Sequence, residues 1–438
     1  MNYQDSLSYL YSLEQFGIKF GLNNIQRMMD LLGNPEKNLR AIHIAGTNGK
    51  GSVAAYCSNI LQCCGYKVGL YTSPHLVKFE ERIAINGKPI SESDLVRLVE
   101  KIQPIVTQVT GENQGASPTF FEVTTAIALD YFAQNSIDFL VLEVGMGGRL
   151  DATNIVDAKV AVITNITFDH MQYLGDTLPK IAYEKAGIIK PGAKVITGAQ
   201  GEALTEIRRV CKERNASLIA CPEDIAYQEE IDELDSRKFT IATEHQIYSH
   251  LAIQLLGKHQ YLNATLAVAG IEALQSVYGC DCTSAITQGL SQTVWPGRLE
   301  VVRKEPKIVL DGAHNVAGVE TLRSALVGIF DYDNLYLIIG IANDKESKKM
   351  LELLCPLATE VILTAAKTHR AIPPENLLTQ IYDDVALGVK SKTHRVTIVK
   401  HIPDAIQYAV QLAGKTDLIC IAGSLYVVGE AREVLVKS

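Results

Sequence analysis

The sequence lacks the features of a membrane, secreted or nucleic-acid-binding protein. No apolar run in the 438-residue chain is long enough to cross a bilayer, and the N-terminus has no basic segment followed by an apolar one. The formal net charge is −8, whereas a nucleic-acid-binding protein usually carries an excess of Lys and Arg on one face. We therefore predict a cytoplasmic protein with no nucleic-acid partner and no membrane partner.

The cysteine pattern lacks the spacing of a disulfide framework or a zinc site. The nine cysteines include no Cys-x-x-Cys pair, and the closest spacings are Cys63-Cys64 and Cys280-x-Cys282. Free thiols in a reducing compartment explain this pattern better than disulfides or zinc.

Internal repeats, low-complexity tracts and long linkers are also missing from the sequence. What remains is an ordinary globular composition, with 47% hydrophobic and 21% charged residues. Because 438 residues exceed what a single ordinary core accommodates, we expect two domains.

Short apolar runs alternate with helical patterns along the first two thirds of the chain. A helical pattern covers residues 120–133, and residues 222–256 alternate more like antiparallel strands. This alternation predicts a mainly parallel, doubly wound sheet with a small appended β-sheet. The strand candidates are 41–45, 67–71, 139–144, 160–164 and 194–197.

A second set of strand patterns follows the turn cluster at 295–298, whose sequence is Trp-Pro-Gly-Arg. These runs again alternate with helical patterns, so we predict a domain boundary at about residues 296–298. The strand candidates of this second set are 307–310, 336–339, 361–364, 397–399 and 418–421.

The stretch after the first predicted strand has the pattern of a phosphate-binding loop. Glycines let backbone N–H groups face a phosphate, the following helix offers its positive end, and a lysine and a serine can reach phosphate and magnesium. The spacing differs from GxxxxGK[ST], because the first glycine lies closer to the lysine and a further glycine separates lysine from serine. A simple glycine-rich turn is the alternative. The candidate ATP-binding residues are Gly46, Thr47, Asn48, Gly49, Lys50, Gly51 and Ser52.

Polar residues at the ends of two other predicted strands are expected to lie beside this loop. Glu143 ends one apolar run, and Asp169 and His170 follow another. Open α/β sheets bind ligands at the carboxyl ends of their strands. Taken alone, each of these residues is more typical of a hydrogen-bonded structural position. Beside a phosphate loop, however, they and Ser52 predict a metal site, and its oxygen ligands with one imidazole favour Mg²⁺ or Mn²⁺ over zinc.

The second half of the chain repeats this strand-end geometry. Asp311-Gly312-Ala313-His314-Asn315 follows the strand pattern at 307–310. A nucleotide contact would explain it, and an Asp-Gly turn with an unrelated histidine is the alternative.

Several ordered motifs resemble those of the folylpolyglutamate synthases and bifunctional dihydrofolate synthases of the Mur ligase superfamily. The resemblance covers essentially the whole chain, and no position that should carry chemistry departs from the family pattern. The motifs are 43–52 (HIAGTNGKGS), 72–76 (TSPHL), 121–126 (FEVTTA), 143–154 (EVGMGGRLDATN), 169–170 (DH), 184–190 (EKAGIIK), 257–263 (GKHQYLN), 295–300 (WPGRLE) and 310–315 (LDGAHN).

The resemblance implies an α/β fold with two domains. Residues 1–295 would form an ATP-binding domain with a P-loop NTPase-like, doubly wound parallel sheet and the small appended β-sheet, similar to the central domain of Mur ligases. Residues 296–438 would form a smaller, Rossmann-like glutamate ligase domain.

Two Mg²⁺ sites are also implied, with Mn²⁺ as an alternative ion and K⁺ as an additional monovalent cation. Ser52 and Glu143 would bind one ion, and Glu143, His170 and Lys185 would bind the other. Because an ammonium cannot bind a metal, the resemblance implies that Lys185 is carbamylated, whereas the sequence alone would make it a solvated helix residue. The implied catalytic residues are Lys50, Glu143, His170, Lys185 and His314.

Further residues are implied to contact substrates. Asn263, Arg298 and Asp311 would contact adenine, phosphate and ribose respectively, and His314 would lie near the incoming glutamate or the γ-phosphate. For the two phenylalanines, packing at a helix start is an equally open alternative. The implied folate or glutamate contacts are Ser73, Phe120, Phe121, Asp151 and Ser424.

The implied activity is ATP-dependent addition of L-glutamate to a (tetrahydro)folate and its polyglutamates through an acyl phosphate, with release of ADP and phosphate. The partners would be the small molecules ATP, L-glutamate and folate, and the chain would be a monomer. One alternative is a bifunctional enzyme that also makes dihydrofolate from dihydropteroate. A cell-wall Mur ligase and a phosphate-loop switch or motor ATPase are further alternatives, whereas the complete set of candidate residues disfavours a non-catalytic binding protein.

Overall fold

The computed structural model describes residues 1–17, 19–113, 116–234, 236–383 and 395–436. The chain forms two compact units. The first unit consists of Met1–Glu230, Lys238–Ala252 and Tyr261–Thr293, and the second of Ile231–Arg237, Ile253–Gln260 and Val294–Ser438.

A mainly parallel sheet lies at the centre of the first unit. Its strands are β1 (Ala41–Ala45), β2 (Val68–Tyr71), β3 (Ile83–Ile85), β4 (Lys88–Pro89), β5 (Phe139–Glu143), β6 (Val160–Ile163), β7 (Lys194–Thr197) and β8 (Ser217–Ala220). The order across the sheet is β4-β3-β2-β5-β1-β6-β7-β8, and only the β2–β3 and β3–β4 pairs are antiparallel. Every residue of β1, β2, β5 and β6 is buried, as expected for strands covered by helices on both faces.

A three-stranded sheet and a second parallel sheet account for the remaining strands. The small sheet has the order β11-β10-β9. The sheet of the second unit has the order β12-β13-β17-β14-β15-β16, in which β12 pairs antiparallel with β13 and the other pairs are parallel. The strands are β9 (Ala226–Asp232), β10 (Arg237–Ala242), β11 (Ile247–Ala252), β12 (Glu300–Lys304), β13 (Lys307–Leu310), β14 (Leu335–Ile339), β15 (Glu360–Leu363), β16 (Arg395–Ile398) and β17 (Leu418–Ala422).

The helices connect successive strands and pack their apolar faces on the sheets. The helix α5 shows how local sequence sets a boundary, because the Thr119 hydroxyl accepts the Glu122 N–H while the Glu122 carboxylate accepts the Thr119 N–H. The helices are α1 (Tyr3–Ser12), α2 (Asn23–Leu32), α3 (Lys50–Cys63), α4 (Glu92–Glu112), α5 (Phe120–Gln134), α6 (Met171–Leu174), α7 (Leu178–Ala186), α8 (Gly201–Glu213), α9 (His259–Tyr278), α10 (Ile286–Gln292), α11 (Val316–Gly328), α12 (Ser347–Leu354), α13 (Pro374–Asp383), α14 (Ile402–Leu412) and α15 (Leu425–Leu435).

The predicted fold class is confirmed, including the doubly wound sheet, the appended small sheet and the separate C-terminal sheet. Each predicted strand is present to within two residues. The nine cysteines are free, as predicted. In the part of the chain that the structure describes, no helix has both the length and the apolar character of a membrane span.

Candidate active site

The phosphate-binding loop joins β1 to α3, and two glycines give it its shape. Gly46 has φ +149°, and a Cβ at this position would overlap the hydroxyl oxygen of Thr164. Gly49 has φ +86°, and a Cβ there would lie 2.5 Å from Oδ1 of Asn263. Both positions combine a backbone conformation that favours glycine with a neighbour that leaves no room for a side chain. The loop is therefore seated between the end of β6 and the side chain of Asn263.

The segment that follows β6 holds the loop by hydrogen bonds. Asn165 accepts two loop N–H groups, with its carbonyl oxygen 2.8 Å from Thr47 N and its Oδ1 2.8 Å from Asn48 N. The Thr164 hydroxyl donates to the carbonyl oxygen of Asn48 at 2.6 Å. Sequence reasoning missed Thr164 and Asn165. The available signal was their place directly after β6, which is the parallel neighbour of β1.

Lys50 begins α3 and folds back over the loop. Its ammonium donates to the carbonyl oxygens of Gly46 and Thr47, at 3.2 Å each. Ser52 lies in the first turn of the same helix and is 2% exposed. The loop thus combines a cation, a hydroxyl and the N-terminal end of a 14-residue helix, which together suit an anionic phosphate group.

Glu143 reaches the same sheet edge from the neighbouring strand. It is the last residue of β5 and is paired in register with Ile44 of β1. The carboxylate is buried, and its Oε2 accepts the N–H of Ser73 at 3.2 Å. Ser73 follows β2, which lies on the other side of β5. Strand order alone therefore brings Ser73, Glu143 and the phosphate loop to one edge.

Lys185 is buried in α7, so its interpretation as a solvated helix residue from sequence alone is wrong. The side chain is 4% exposed, and its ammonium donates to the carbonyl oxygen of Gly46 at 2.8 Å. Burial, together with the charge of Lys50, lowers the pKa of Lys185 from its usual range to about 7, while Asp169 and Asp151 oppose this shift. A large share of this amine is therefore neutral near pH 7.

His170 follows the loop-holding segment and has a left-handed backbone, with φ 49°. The backbone N–H of His170 donates to Oδ1 of Asp169 at 2.9 Å, and the ring Nε2 of His170 lies 3.8 Å from the same oxygen. The carboxylate of Asp169 also acts electrostatically on Lys185. The segment after β6 thus carries both the contacts to the phosphate loop and the imidazole.

The hard-oxygen donors at this edge fit a magnesium site that is completed by a substrate. Within the described ranges of the chain, no group of three or more His, Cys, Asp or Glu is arranged to hold a metal ion. Mg²⁺ is usually bound by one or two protein oxygens together with substrate phosphates and water, rather than by an all-protein cage. Ser52 and Glu143, beside a phosphate loop, are donors of that type.

Asp151 shapes the loop that follows β5. Its carboxylate accepts the N–H groups of Met146 and Thr153, at 2.9 and 3.0 Å, and the Thr153 hydroxyl. Burial raises the pKa of Asp151, and these hydrogen bonds oppose the rise. Nearby, Arg149 forms an ion pair with Glu184 of α7 at 2.8 Å. The contacts of Asp151 in the structure order the loop that follows β5. Its contact with a substrate stays a prediction.

Phe120 and Phe121 begin α5 and face different neighbours. The Phe120 ring stacks on Tyr11, with 5.8 Å between ring centroids, and the Arg82 guanidinium lies 5.2 Å from the Phe120 centroid. Phe121 packs on Tyr71, with 6.1 Å between ring centroids. Tyr11 and Arg82 were not predicted as site residues, because nothing in their local sequence links them to Phe120.

Four of the predicted residues lie at the carboxyl edge of the sheet in the second unit. The Asp311 carboxylate accepts the N–H groups of Leu299 and Ala313, both at 2.9 Å. The Arg298 guanidinium lies against Gly312, where a Cβ would come within 2.5 Å of its Nη1. His314 and Ser424 make local contacts, since His314 Nδ1 donates to the carbonyl oxygen of Gly312 at 2.8 Å and Ser424 caps α15.

A basic cluster at the same edge was missed by sequence reasoning. It consists of Lys345, Asp344, Arg370 and Tyr426. Asp344 lies 3.0 Å from the Arg370 guanidinium and 3.5 Å from the Lys345 ammonium, whose side chain is only 7% exposed. The Arg370 guanidinium lies 5.9 Å from the centroid of the Tyr426 ring. Two cations share one carboxylate, so the cluster carries a net positive charge. The residues follow three different strands, and only the sheet order brings them together.

The chain is similar to known proteins over its full length. Residues 44–271 match the Mur ligase middle domain, and residues 297–425 match the glutamate ligase domain of Mur ligases. A dihydrofolate synthase/folylpolyglutamate synthase of Bacillus subtilis is 36% identical over 438 residues, which is 99% of each chain. A folylpolyglutamate synthase of Lacticaseibacillus casei is 31% identical over 99% of each chain.

A solved structure of a relative has the same fold. The Mycobacterium tuberculosis folylpolyglutamate synthase complexed with ADP and AMPPCP superimposes with a TM-score of 0.90, with 33% identity over all of both chains. The motifs, the two units and these relatives agree. The chain belongs to the folylpolyglutamate synthase and dihydrofolate synthase family of the Mur ligases.

Proposed function

We propose that this protein is an ADP-forming ligase that adds L-glutamate to (tetrahydro)folate and its polyglutamates, using ATP. The observation that carries the proposal is the convergence of Lys50 and Lys185 on the carbonyl oxygen of Gly46. At this one point, the Lys50 ammonium can bind the phosphates of a nucleotide, and the Lys185 amine can be carbamylated to a ligand for the metal ion that would bridge nucleotide and acceptor carboxylate. The relatives that are named for this activity are similar over 99% of the chain.

The proposed reaction has two steps. A carboxylate oxygen of the acceptor attacks the γ-phosphorus of ATP, and the bond to the leaving ADP oxygen breaks, which gives an acyl phosphate. The glutamate amine then attacks the acyl carbon, phosphate leaves with its electron pair, and the amine nitrogen loses a proton. The N–H groups of residues 46–52 and the Lys50 ammonium would hold the phosphates in line and stabilise the charge that moves onto the leaving oxygens.

Two Mg²⁺ ions, when bound, would neutralise charge on the phosphates and on the acceptor carboxylate. Ser52 and Glu143 would hold one ion, and Glu143, His170 and carbamylated Lys185 would hold the other. Mn²⁺ is a chemically similar substitute, and K⁺ is the proposed monovalent ion.

The position of Lys185 supports its carbamylation. A neutral amine attacks CO₂ to form an N–C bond and releases one proton, and the lowered pKa of Lys185 makes the neutral amine available near pH 7. The product is an anion, so Lys50, which disfavours a second ammonium, would favour the carbamate. The modification would replace a repulsion between two cations with an attraction.

The second unit would bind the ribose and the incoming glutamate. Asp311 and Arg298 are proposed to contact ribose and phosphate, and Asn263 of the first unit to contact adenine. His314 and Ser424 would lie near the glutamate or the γ-phosphate. The basic cluster is a suitable anchor for a carboxylate of glutamate, because a guanidinium binds carboxylates in a bidentate manner and its own orientation is fixed by Asp344.

The folate would be bound by residues of the first unit. Ser73, Phe120, Phe121 and Asp151 are the proposed contacts, and the exposed edge of the Phe120 stack with Tyr11 offers an aromatic surface for a flat heterocycle. Residues 1–295 are proposed to act as the ATP-binding domain and residues 296–438 as the glutamate ligase domain, with Ile231–Arg237 and Ile253–Gln260 packing in the second unit. We further propose a monomer that works in the cytoplasm, in keeping with nine free thiols.

A second activity, synthesis of dihydrofolate from dihydropteroate, is favoured by one specific comparison. The B. subtilis relative is named for both activities, whereas the L. casei relative is named for the folylpolyglutamate activity alone. The test is phosphate release from ATP with L-glutamate and either dihydropteroate, tetrahydrofolate or a reduced folate diglutamate. Release with every acceptor indicates the bifunctional enzyme, and release with folates alone indicates a single activity. Release that does not depend on an acceptor contradicts both.

A further inference from the structure

His43 is a fully buried polar residue in the strand that leads into the phosphate loop. It lies in the middle of β1 and is paired in register with Leu142 of β5 and Ala161 of β6. Burial, together with the charge of Lys190, lowers the pKa of His43 to about 3, so the imidazole is neutral near pH 7. A neutral imidazole has one N–H donor and one bare acceptor nitrogen. The contacts of the two ring nitrogens therefore decide what His43 can do.

The hydrogen-bond partner of His43 decides which ring nitrogen carries the proton. Nε2 of His43 lies 2.8 Å from the hydroxyl oxygen of Thr153, a buried residue in a single 3₁₀ turn (Ala152–Ile155). The Thr153 hydroxyl donates its one proton to Oδ1 of Asp151, so it can only accept from His43. His43 is therefore protonated at Nε2. Its Nδ1 is buried and has no hydrogen-bond partner within the described ranges of the chain.

Asp151 extends these contacts to the loop that follows β5. Its Oδ1 also accepts the Thr153 N–H at 3.0 Å, and its Oδ2 accepts the Met146 N–H at 2.9 Å. We define His43, Thr153 and Asp151 as the histidine network. The network connects the strand before the phosphate loop to the backbone of the loop after β5.

The loop after β5 in turn packs on α7, the helix that carries Lys185. The Arg149 N–H donates to the carbonyl oxygen of Glu184 at 2.7 Å. A Cβ at Gly148 would lie 2.8 Å from the carbonyl oxygen of Lys185, so the loop and the helix are in close contact. The Lys185 ammonium donates to the carbonyl oxygen of Gly46, the residue directly after β1. The contacts that begin at His43 on β1 thus return to the end of the same strand.

We propose that His43 is a positioning residue for the ligase reaction, and that it holds the Lys185 amine against the phosphate loop through the histidine network. The inference rests on the function proposed above, in which Lys185 acts beside the phosphates. Core packing alone does not account for an imidazole at this position. A leucine would also fill a buried parallel strand, and it would leave no ring nitrogen without a partner.

The test compares variants that keep or remove the two donors of the network. His43→Gln keeps an N–H in place of Nε2 and Thr153→Ser keeps the hydroxyl, whereas His43→Leu and Thr153→Val remove these groups. Amide hydrogen exchange is followed by mass spectrometry in peptides that cover residues 145–151. We expect exchange at least about 10-fold faster in the Leu and Val variants, and within about twofold of wild type in the Gln and Ser variants. Peptides of α5 are the internal reference, because general destabilisation would accelerate their exchange as well.

Steady-state kinetics provide the second measurement. In His43→Leu and Thr153→Val, kcat for acceptor-dependent phosphate release should fall by about 10-fold, because the Lys185 amine is misplaced, while KM for ATP stays within about twofold. The double variant should lose no more activity than Thr153→Val alone, because both residues act through one series of contacts. Thr293→Val is the matched control, since its buried hydroxyl donates to the carbonyl oxygen of Gly289, outside the network. It should change neither the exchange of residues 145–151 nor kcat.

The outcomes separate the network from the proposed function. Unchanged exchange of residues 145–151 in His43→Leu and Thr153→Val would overturn the proposal, and so would equal acceleration in the α5 peptides or additive losses in the double variant. Faster exchange confined to residues 145–151, in a protein whose wild type releases no phosphate on addition of acceptor and glutamate, would support the network and contradict the proposed function instead.

Discussion

The ammonium of Lys185 lies 2.8 Å from the carbonyl oxygen of Gly46, so a side chain of α7 is bonded to the first residue of the phosphate loop. The same carbonyl oxygen accepts a hydrogen bond from Lys50. One backbone oxygen thus brings together the two amines on which the proposed chemistry depends. The arrangement requires Gly46 to keep its conformation and Lys185 to stay buried, and both requirements can be tested.

Replacing Lys185 should abolish turnover while leaving the fold intact. The side chain makes a single described hydrogen bond, so its loss should leave the fold intact. The kcat of Lys185→Ala should fall by at least about 100-fold, because a charged group at the reacting phosphates is lost. Circular dichroism and the thermal midpoint report the fold. Lys180→Ala is the matched control, because this lysine lies on the same helix with a 64% exposed side chain. Near wild-type activity in Lys185→Ala would contradict its proposed role.

Carbamylation predicts a dependence on dissolved CO₂ and on pH. The pKa of Lys185 is lowered to about 7, so the neutral amine that reacts with CO₂ becomes more abundant as the pH rises from 6 to 8. Enzyme depleted of CO₂ at pH 6 should therefore lose activity and regain it when bicarbonate is added at pH 8. Mass spectrometry under native conditions can detect the added carbamate directly. Full activity without CO₂ at every pH would rule the modification out.

A methyl group at Gly46 should disable the loop. In Gly46→Ala the new Cβ would overlap the Thr164 hydroxyl, and φ +149° is unfavourable for a side chain. We expect loss of detectable ATP binding by calorimetry and a destabilisation of about 1–3 kcal/mol. Gly33→Ala is the control, because Gly33 has φ +89° but no atom within 4 Å of the position that a Cβ would take, so it should be destabilised similarly and still bind ATP. Normal ATP affinity in Gly46→Ala would contradict the account of the loop.

The basic cluster predicts a selective effect on glutamate. Arg370→Ala should raise KM for L-glutamate by about 10-fold or more and leave KM for ATP within about twofold, since a charge-assisted hydrogen bond to a carboxylate would be lost. Arg395→Ala, which removes an arginine with a 70% exposed side chain from the same unit, should change neither constant. An equal rise in both KM values for Arg370→Ala would indicate a structural role instead.

The Phe120 stack predicts an effect on the acceptor. Phe120→Leu keeps an apolar side chain at the start of α5 but removes the ring that faces Tyr11 and Arg82. KM for the folate should rise by about 5-fold to 10-fold, which corresponds to the loss of one aromatic contact. Phe132→Leu, a fully buried change in the same helix, should lower the thermal midpoint without altering that KM. An unchanged KM for the folate in Phe120→Leu would remove Phe120 from the proposed acceptor site.

Much of the fold could be predicted because buried parallel strands are short apolar runs that are bounded by turns. The strands β1, β5 and β6 were predicted to within one residue for this reason. The strands at sheet edges, such as β4 and β12, were missed, because they are short or partly exposed and their apolar pattern is weak. The three-stranded sheet was predicted from alternation alone.

The part of the candidate site that is formed by residues close together in sequence could be predicted. Residues 46–52 are such a case, because a strand, a loop and a helix follow one another in sequence, and Glu143 could be recognised because it ends an apolar strand pattern. Asn165 and Arg370 were not found, since their partners lie about 117 and 26 residues away and only the order of the strands brings them together. Lys185 was assigned through the family resemblance, and its burial follows from the packing of α7, which no local pattern reveals.

The central claim is that an acyl phosphate forms at the phosphate loop. The most direct test uses an acceptor folate whose terminal carboxylates carry ¹⁸O, together with ATP, L-glutamate and the purified protein. If the acceptor carboxylate attacks ATP, the released phosphate must contain one acceptor oxygen for each amide that is formed, and omission of glutamate should suppress this release. Phosphate that contains only oxygen from ATP and water would mean that ATP is hydrolysed directly, which contradicts the proposed function.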